Sequence, residues 1–308
     1  MSPAFTRLLV PLDGSRLAEA VLPATETLAA HFSSQVILIH VLEERAPATV
    51  HGDRHLMDAG EADQYLQTIA ARLRAGGIPV ETHVHEALEG DVARSVVEHT
   101  EEFAPDLVVL CAHGSGGLRD WLYGNIAQQV LQRGTRPVLL IQPNRDGSAP
   151  PFAPRCILVP LDGKHEYVPA VSVAAMLAGV FSARLHLTLV VPTLGTLPKE
   201  QVGAGILLPT TMRAILDLDE QESQAYLDRI ASQSRAQGLT VQTEVIRGET
   251  VQELLQYAER LPADLMVMAS HGRAGLNASL TGSVASRLTA RVSFPMLLIR
   301  LADSSDSE

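Results

Sequence analysis

Cysteine is nearly absent from the chain: Cys111 and Cys156 are the only two in 308 residues. A disulfide framework is therefore not expected, and a reducing compartment fits. Aromatic residues make up 4% of the chain, with one Trp, so Val, Leu, Ile and Ala must supply the core. No apolar run approaches the ~18 residues that span a bilayer, which argues against membrane insertion. The opening "MSPAFTRLLVPLDGS" has no apolar core of signal-peptide length before its Asp and Gly. A cytoplasmic protein is expected. Positive charge is also scarce: the net charge is −11 and the pI about 5.5. Such a surface repels phosphate backbones, so no nucleic-acid partner is expected. The 11 histidines offset that charge only at low pH. A G-x-x-x-x-G-K-[ST] phosphate loop is missing as well. What remains is an ordinary folding composition, 46% hydrophobic and 19% charged, with length for about two domains.

The chain repeats itself. "LVPLDG" stands at 9–14 and again at 158–163. Asp13 maps to Asp162 and Val41 to Val190 at an offset of 149. Tyr65-Leu66 maps to Tyr226-Leu227 at 161. Asp106 maps to Asp264, His113 to His271 and Gly124 to Gly282, all at 158. The second half thus holds about twelve extra residues between Val190 and Tyr226. Solenoid repeats run about 20–50 residues, so this period marks a duplicated domain. The expected division is a first domain over 1–144, a Pro/Gly/Ser linker over 145–154, a second domain over 155–302 and a disordered acidic tail over 303–308.

Each half alternates strand and helix. In the first, "RLLVPL", "QVILIHVL", "PVETHVHE", "DLVVLCA" and "PVLLIQ" read as strands. The intervening segments carry helical periodicity, as in Ala18, Val21, Leu22, Thr25, Leu28 and Ala29, with Ser15 as an N-cap. A further helix is expected from about Asp91 to Phe103. The second half repeats the order with "CILVPL", "RLHLTLVV", "TVQTEVI", "DLMVMAS" and "PMLLIR". Apolar strands separated by helices predict an α/β fold with parallel sheets covered on both faces. The terminal strands "PVLLI" and "PMLLI" need edge cover. An internal pseudo-dimer of the two halves would provide it, with a homodimer through other surfaces left open.

In open α/β sheets, ligands sit at the carboxyl ends of strands, at the topological switch point. Three features fall there in each half. Asp13 and Asp162 end the first strand, and Val41 and Val190 the second. "AHGSGGLRDWLYGN" (112–125) and "SHGRAGLNASLTGS" (270–283) follow the fourth. In both loops His-Gly precedes nine residues and a second Gly. Gly allows close backbone approach, and a helix opening beyond Gly124-Asn125 or Gly282-Ser283 offers free N–H groups. A phosphate cradle and an ordinary strand-to-helix turn both satisfy this pattern.

With these residues in place, both halves resemble universal stress protein domains. The resemblance implies five-stranded parallel sheets related to the adenine-nucleotide α-hydrolases, a Rossmann-like architecture. ATP-binding members carry G-x-x-G, nine residues, then G-[ST]. In the second half Ala269 replaces the first Gly, while Gly272, Gly282 and Ser283 match. In the first half Cys111 replaces it, Gly114 and Gly124 match, and Asn125 stands for Ser or Thr. Ala269 is the milder change, so the second half is the expected ATP site. The resemblance implies a second-half set of Pro160, Leu161, Asp162, Val190, Met268, Ala269, His271, Gly272, Arg273, Gly282, Ser283 and Val284. The first-half set is Pro11, Leu12, Asp13, Val41, Leu110, Gly114, Gly124 and Asn125. Within these, each Asp is expected at the base and each Val beside the adenine. The implied function is a stress-response sensor or regulator that binds ATP, with or without Mg²⁺, and does not turn it over rapidly. A slow ATP hydrolase and a nucleotide-free interaction module are the alternatives.

No residue presents itself as a catalyst. Arg273 could meet a phosphate or be merely solvated, and His271 could orient a phosphate, serve as a general base or simply hold the turn. Cys111 at a strand end is expected to be an inert buried thiol. "HGDRH" gives His51 and His55 a metal spacing only if helical, and "HVH" puts His83 and His85 on one strand face. Neither pair has a third ligand at a fixed spacing, so no metal site is expected. The insert 192–222 reads as a lid, a subunit patch, or a loop with one extra helical turn.

Overall fold

Strand β1 (Arg7–Pro11) is buried through its middle three residues, as an apolar run flanked by helices on both faces should be. In this computed structural model the described residues are 5–43, 49–50, 52–87, 91–112, 125–144, 146–163, 168–271 and 284–301. After β1 come a 3₁₀ turn (Ala18–Val21), α1 (Leu22–Phe32) and β2 (Gln35–Glu43). A small antiparallel hairpin, β3 (Thr49–Val50) and β4 (Asp53–Arg54), leads into α2 (Ala59–Ala75) and β5 (Val80–Ala87). Then follow α3 (Val92–Glu102), β6 (Leu107–Cys111), α4 (Asn125–Arg133) and β7 (Val138–Ile141). Ser15 Oγ accepts from the Ala18 N–H at 3.1 Å, so it caps the expected helix start. That start is 3₁₀, and the α-helix proper waits for Leu22, where Pro23 occupies the first turn.

The second repeat gives β8 (Cys156–Leu161), α5 (Val168–Phe181), β9 (Arg184–Val191) and β10 (Val241–Arg247). It continues through α8 (Thr250–Arg260), β11 (Leu265–His271), α9 (Val284–Thr289) and β12 (Met296–Leu301). The insert forms far more than one extra turn. It holds α6 (Lys199–Leu207) and the first half of α7 (Pro209–Ala236), a 28-residue helix. Arg247 on β10 ties down α7 by donating to Asp217 at 2.6 Å. Ile206, Leu207 and Leu208, at the junction of α6 and α7, are exposed.

Two compact units are distinguishable. In the first, strands run in the order β12-β7-β6-β1-β2-β5. The pairs β7/β6, β6/β1, β1/β2 and β2/β5 are parallel, while β12 joins β7 antiparallel, Met296 opposite Leu140. The last strand of the second repeat thereby covers the β7 edge. The second unit has the order β10-β9-β8-β11, all parallel. In each unit the chain moves outward from the first strand and then returns to its other side. That reversal sets a switch point between β1 and β6, and between β8 and β11.

A carboxylate fixes each of these central pairs. Asp106 Oδ2 accepts from the N–H groups of Thr6 (2.8 Å) and Arg7 (2.9 Å) and from the Thr6 hydroxyl (2.6 Å). Asp264 does the same for Arg155 and Cys156, whose N–H groups lie 2.9–3.0 Å from its oxygens. The repeated Asp is a clamp on otherwise unpaired backbone donors at the strand start. No helix among the described residues is long and apolar enough to cross a membrane.

Candidate functional site

In the first unit the chain leaves β1 through Leu12, whose N–H donates to the Ile39 carbonyl at 2.9 Å. Asp13 then folds onto its own turn, with Oδ1 accepting from the Ser15 N–H at 2.8 Å, an Asx turn. Gly14 completes it at φ +86°, a conformation that favours glycine.

The hairpin β3–β4 closes over this turn. Asp53 Oδ2 accepts from the Arg16 N–H at 3.0 Å. Leu56 packs on Gly14 so tightly that a Cβ there would lie 2.7 Å from Leu56 Cδ1. His55 is buried, as is His40 on β2. His40 Nδ1 donates to the Leu12 carbonyl at 2.8 Å. Burial pulls the His40 pKa down; His55 acts in the same direction and Asp13 opposes it. Tyr65 of α2 donates to Glu19 at 3.2 Å. Burial pushes its hydroxyl pKa up, with the charges of Glu19 and Asp13 adding to the effect.

Val41 and Leu110 are buried on the same unit's strands, and Pro11 and Asp13 are half-buried. Cys111 turns toward the 3₁₀ segment, where its thiol donates to the Leu17 carbonyl at 3.2 Å. Burial, then the charge of Asp13, push that thiol pKa up, so it is an inert thiol. Asn125 opens α4, whereas Gly114 and Gly124 lie outside the described residues.

The second unit carries the same turn with different surroundings. Pro160 and Leu161 are buried, but Asp162 is exposed. Gly163 again has φ +86°, yet among the described residues a Cβ there would meet only Leu189 Cδ1, at an ordinary 3.6 Å. Val190 is half-buried, Met268 and Ala269 are buried, and Val284 opens α9 half-buried. Tyr226 of α7 is buried near Asp162. Desolvation and then that carboxylate push its hydroxyl pKa up. His271 ends β11; Gly272, Arg273, Gly282 and Ser283 lie outside the described residues.

The second unit thus sets an exposed carboxylate, Asp162, just past β8, with Val190 near the end of β9 and Met268 near the end of β11, at the switch-point end of the sheet. Two groups escaped the sequence reading. Tyr65 and Tyr226 both approach the strand-one Asp, and the signal was their recurrence as Tyr-Leu in both repeats. The Leu56 cover over Gly14 left no signal, because its hairpin strands are two residues long. Residues 52–55 of "HGDRH" are not helical, with Asp53 and Arg54 forming β4, and His51 lies outside the described residues.

Comparison with known proteins agrees with the duplication. The universal stress protein family model matches twice, over residues 4–142 and 154–300. A universal stress protein of Mycolicibacterium smegmatis is 25% identical over 312 aligned residues, covering 95% of this chain and 96% of its own. One from Methanocaldococcus jannaschii is 30% identical over 147 residues, 47% of this chain and 81% of its own. The crystal structure of a universal stress protein from Archaeoglobus fulgidus shares the fold with a TM-score of 0.70 at 16% identity, covering 97% of this chain and 98% of that one.

Proposed function

The chain belongs to the universal stress protein family, and from that premise we propose that its second repeat binds an adenine nucleotide. ATP is the proposed ligand, with or without Mg²⁺, and the site is the carboxyl ends of β8 and β11. The observation that carries this reading is the contrast between the two strand-one turns. Asp162 is exposed and, among the described residues, only Leu189 comes near Gly163, whereas Asp13 is half-buried and Gly14 lies under Leu56. A base or ribose hydroxyl needs a reachable carboxylate and an apolar wall. Asp162, Val190 and Met268 offer both.

Binding for sensing or regulation fits better than rapid hydrolysis. Phosphoryl transfer needs metal positioning, an oriented water and charge stabilisation. The loop sequence 272–283 contains one Arg and no carboxylate. Asp162 is assigned to the nucleoside, which leaves no acid in the loop for Mg²⁺ or for base work.

Isothermal titration of the full chain with ATP tests the reading. One equivalent should bind. Asp162→Ala should weaken binding at least about tenfold, the loss of one hydrogen bond to a charged group, and Asp13→Ala should leave it unchanged. Absence of ATP binding, or dependence on Asp13 instead, overturns the proposal. Single-turnover hydrolysis at about 1 s⁻¹ or faster would make the protein an enzyme.

A further inference from the structure

We propose that the first unit holds a site for a zinc-class divalent cation, built from His83 and His85 of β5 and His99 of α3, with Glu102 as the available fourth ligand. β5 is the edge strand of its sheet, and alternate residues of a strand share a face. His83 and His85 therefore project together, their rings stacked 6.3 Å apart. α3 packs on that strand and brings His99 over both, at 4.8 Å from His83 and 4.5 Å from His85 between ring centroids.

One ligand atom from each histidine lies within 4.8 Å of the others. The Nε2 atoms of His83 and His99 are 3.0 Å apart. A tetrahedral ion with bonds of about 2.0–2.1 Å sets its ligand nitrogens about 3.3 Å from one another. Small ring rotations bring the three to that spacing.

Three features distinguish this cluster from a chance meeting of histidines. His99 is buried, and its Nδ1–H donates to the Ser95 carbonyl at 2.6 Å. That bond fixes the tautomer and turns the Nε2 lone pair toward His83. It is the outer-shell contact that metal-bound histidines make. Glu102, one turn along α3, places Oε2 3.7 Å from the same Nε2. Phe103 walls the cluster, edge-on to His83 and stacked on His99.

The charges suit a cation. The carboxylates of Glu102 and Glu81 lie near His83. Imidazole with carboxylate suits zinc, and also cobalt or nickel. The ion would staple the edge strand to α3.

Spacing along the chain pairs only His83 with His85, because the third histidine comes from another element. His99 lies fourteen residues beyond His85, and only the β5–α3 packing joins them.

Titration of the metal-stripped full chain with Co²⁺ decides the matter. One equivalent should produce the intense visible absorption of tetrahedral cobalt, and one equivalent of Zn²⁺ should abolish it. His85→Gln, at a half-buried edge-strand position, keeps the fold testable by circular dichroism and should lose the absorption. Glu102→Gln should weaken binding about tenfold or more, while His31→Gln should change nothing. Absence of tetrahedral absorption in the wild type overturns the proposal. So does its survival in the His83→Gln/His85→Gln double variant.

Discussion

Gly14 and Gly163 share one backbone conformation, φ +86°, in two different surroundings. Alanine at either position incurs the left-handed penalty, about 1–2 kcal/mol. The gain from stiffening the unfolded chain is common to both and cancels in the comparison. At Gly163 the described residues add nothing further, because the new methyl would sit 3.6 Å from Leu189 Cδ1. At Gly14 it would sit 2.7 Å from Leu56 Cδ1 and 2.8 Å from Cγ, so Leu56 must leave. Full burial of a leucine contributes about 1.5–3 kcal/mol, and Leu56 is half-buried, so its displacement adds about 1 kcal/mol. Gly14→Ala should therefore cost about 2–3 kcal/mol and Gly163→Ala about 1–2. The assay is equilibrium urea denaturation of both variants, of Leu56→Ala and of the Leu56→Ala/Gly14→Ala pair. With Leu56 already truncated, Gly14→Ala should fall to the Gly163→Ala value, a coupling of about 1 kcal/mol. Equal costs at the two glycines, or coupling within about 0.3 kcal/mol of zero, would refute the covered-turn reading.

Further outcomes follow from other sites. Asp106→Ala and Asp264→Ala each strand backbone donors at a strand start, and each should cost about 2 kcal/mol in denaturation; a loss below about 0.5 kcal/mol would mean that water replaces the clamp. His40 and His186 are buried with folded pKa values lowered by desolvation. The unfolded chain then binds more protons, so their stabilisation is complete above pH 6.5 and is lost as pH falls through the folded pKa, by up to about 1.4 kcal/mol per pH unit for each. Among the described residues neither ring nitrogen of His186 has a hydrogen-bond partner; His186→Leu should therefore flatten the acid limb of the stability curve, and an unchanged limb would count against its role. Cys111 and Cys156 are buried with raised thiol pKa values; Ellman's reagent should find no fast thiol in the native protein and two after denaturation, and one rapid native equivalent would contradict the packing.

The strands were readable because parallel strands buried on both faces are continuous apolar runs. "QVILIHVL" and "RLHLTLVV" could hardly be anything else, and β2 and β9 occupy them. Asp13 and Asp162 were placed correctly at strand ends by the repeat. Their different exposure was not legible, because it depends on Leu56, which reaches Gly14 from forty-two residues away. The insert was underestimated for a physical reason. Its apolar residues do not keep to one helical stripe: Met212 and Leu216 are buried while Ile215 and Leu218 are exposed, so periodicity understates the helix. The histidine cluster needed tertiary packing for its third member, and spacing along the chain cannot report that.

The antiparallel pairing of β12 with β7 has a consequence during synthesis. Val138 to Ile141 is translated long before its neighbour at Met296. At about 5–20 residues per second, the ribosome needs on the order of ten seconds or more to make the intervening second repeat. Through that interval an apolar edge of four residues, Val-Leu-Leu-Ile, stands open as a template for any other strand. Polysomes that space nascent chains closely would bring two such edges together. A premature stop or a protease cut just before Met296 would also harm the first repeat, far upstream of the break, since β12 completes that unit's sheet.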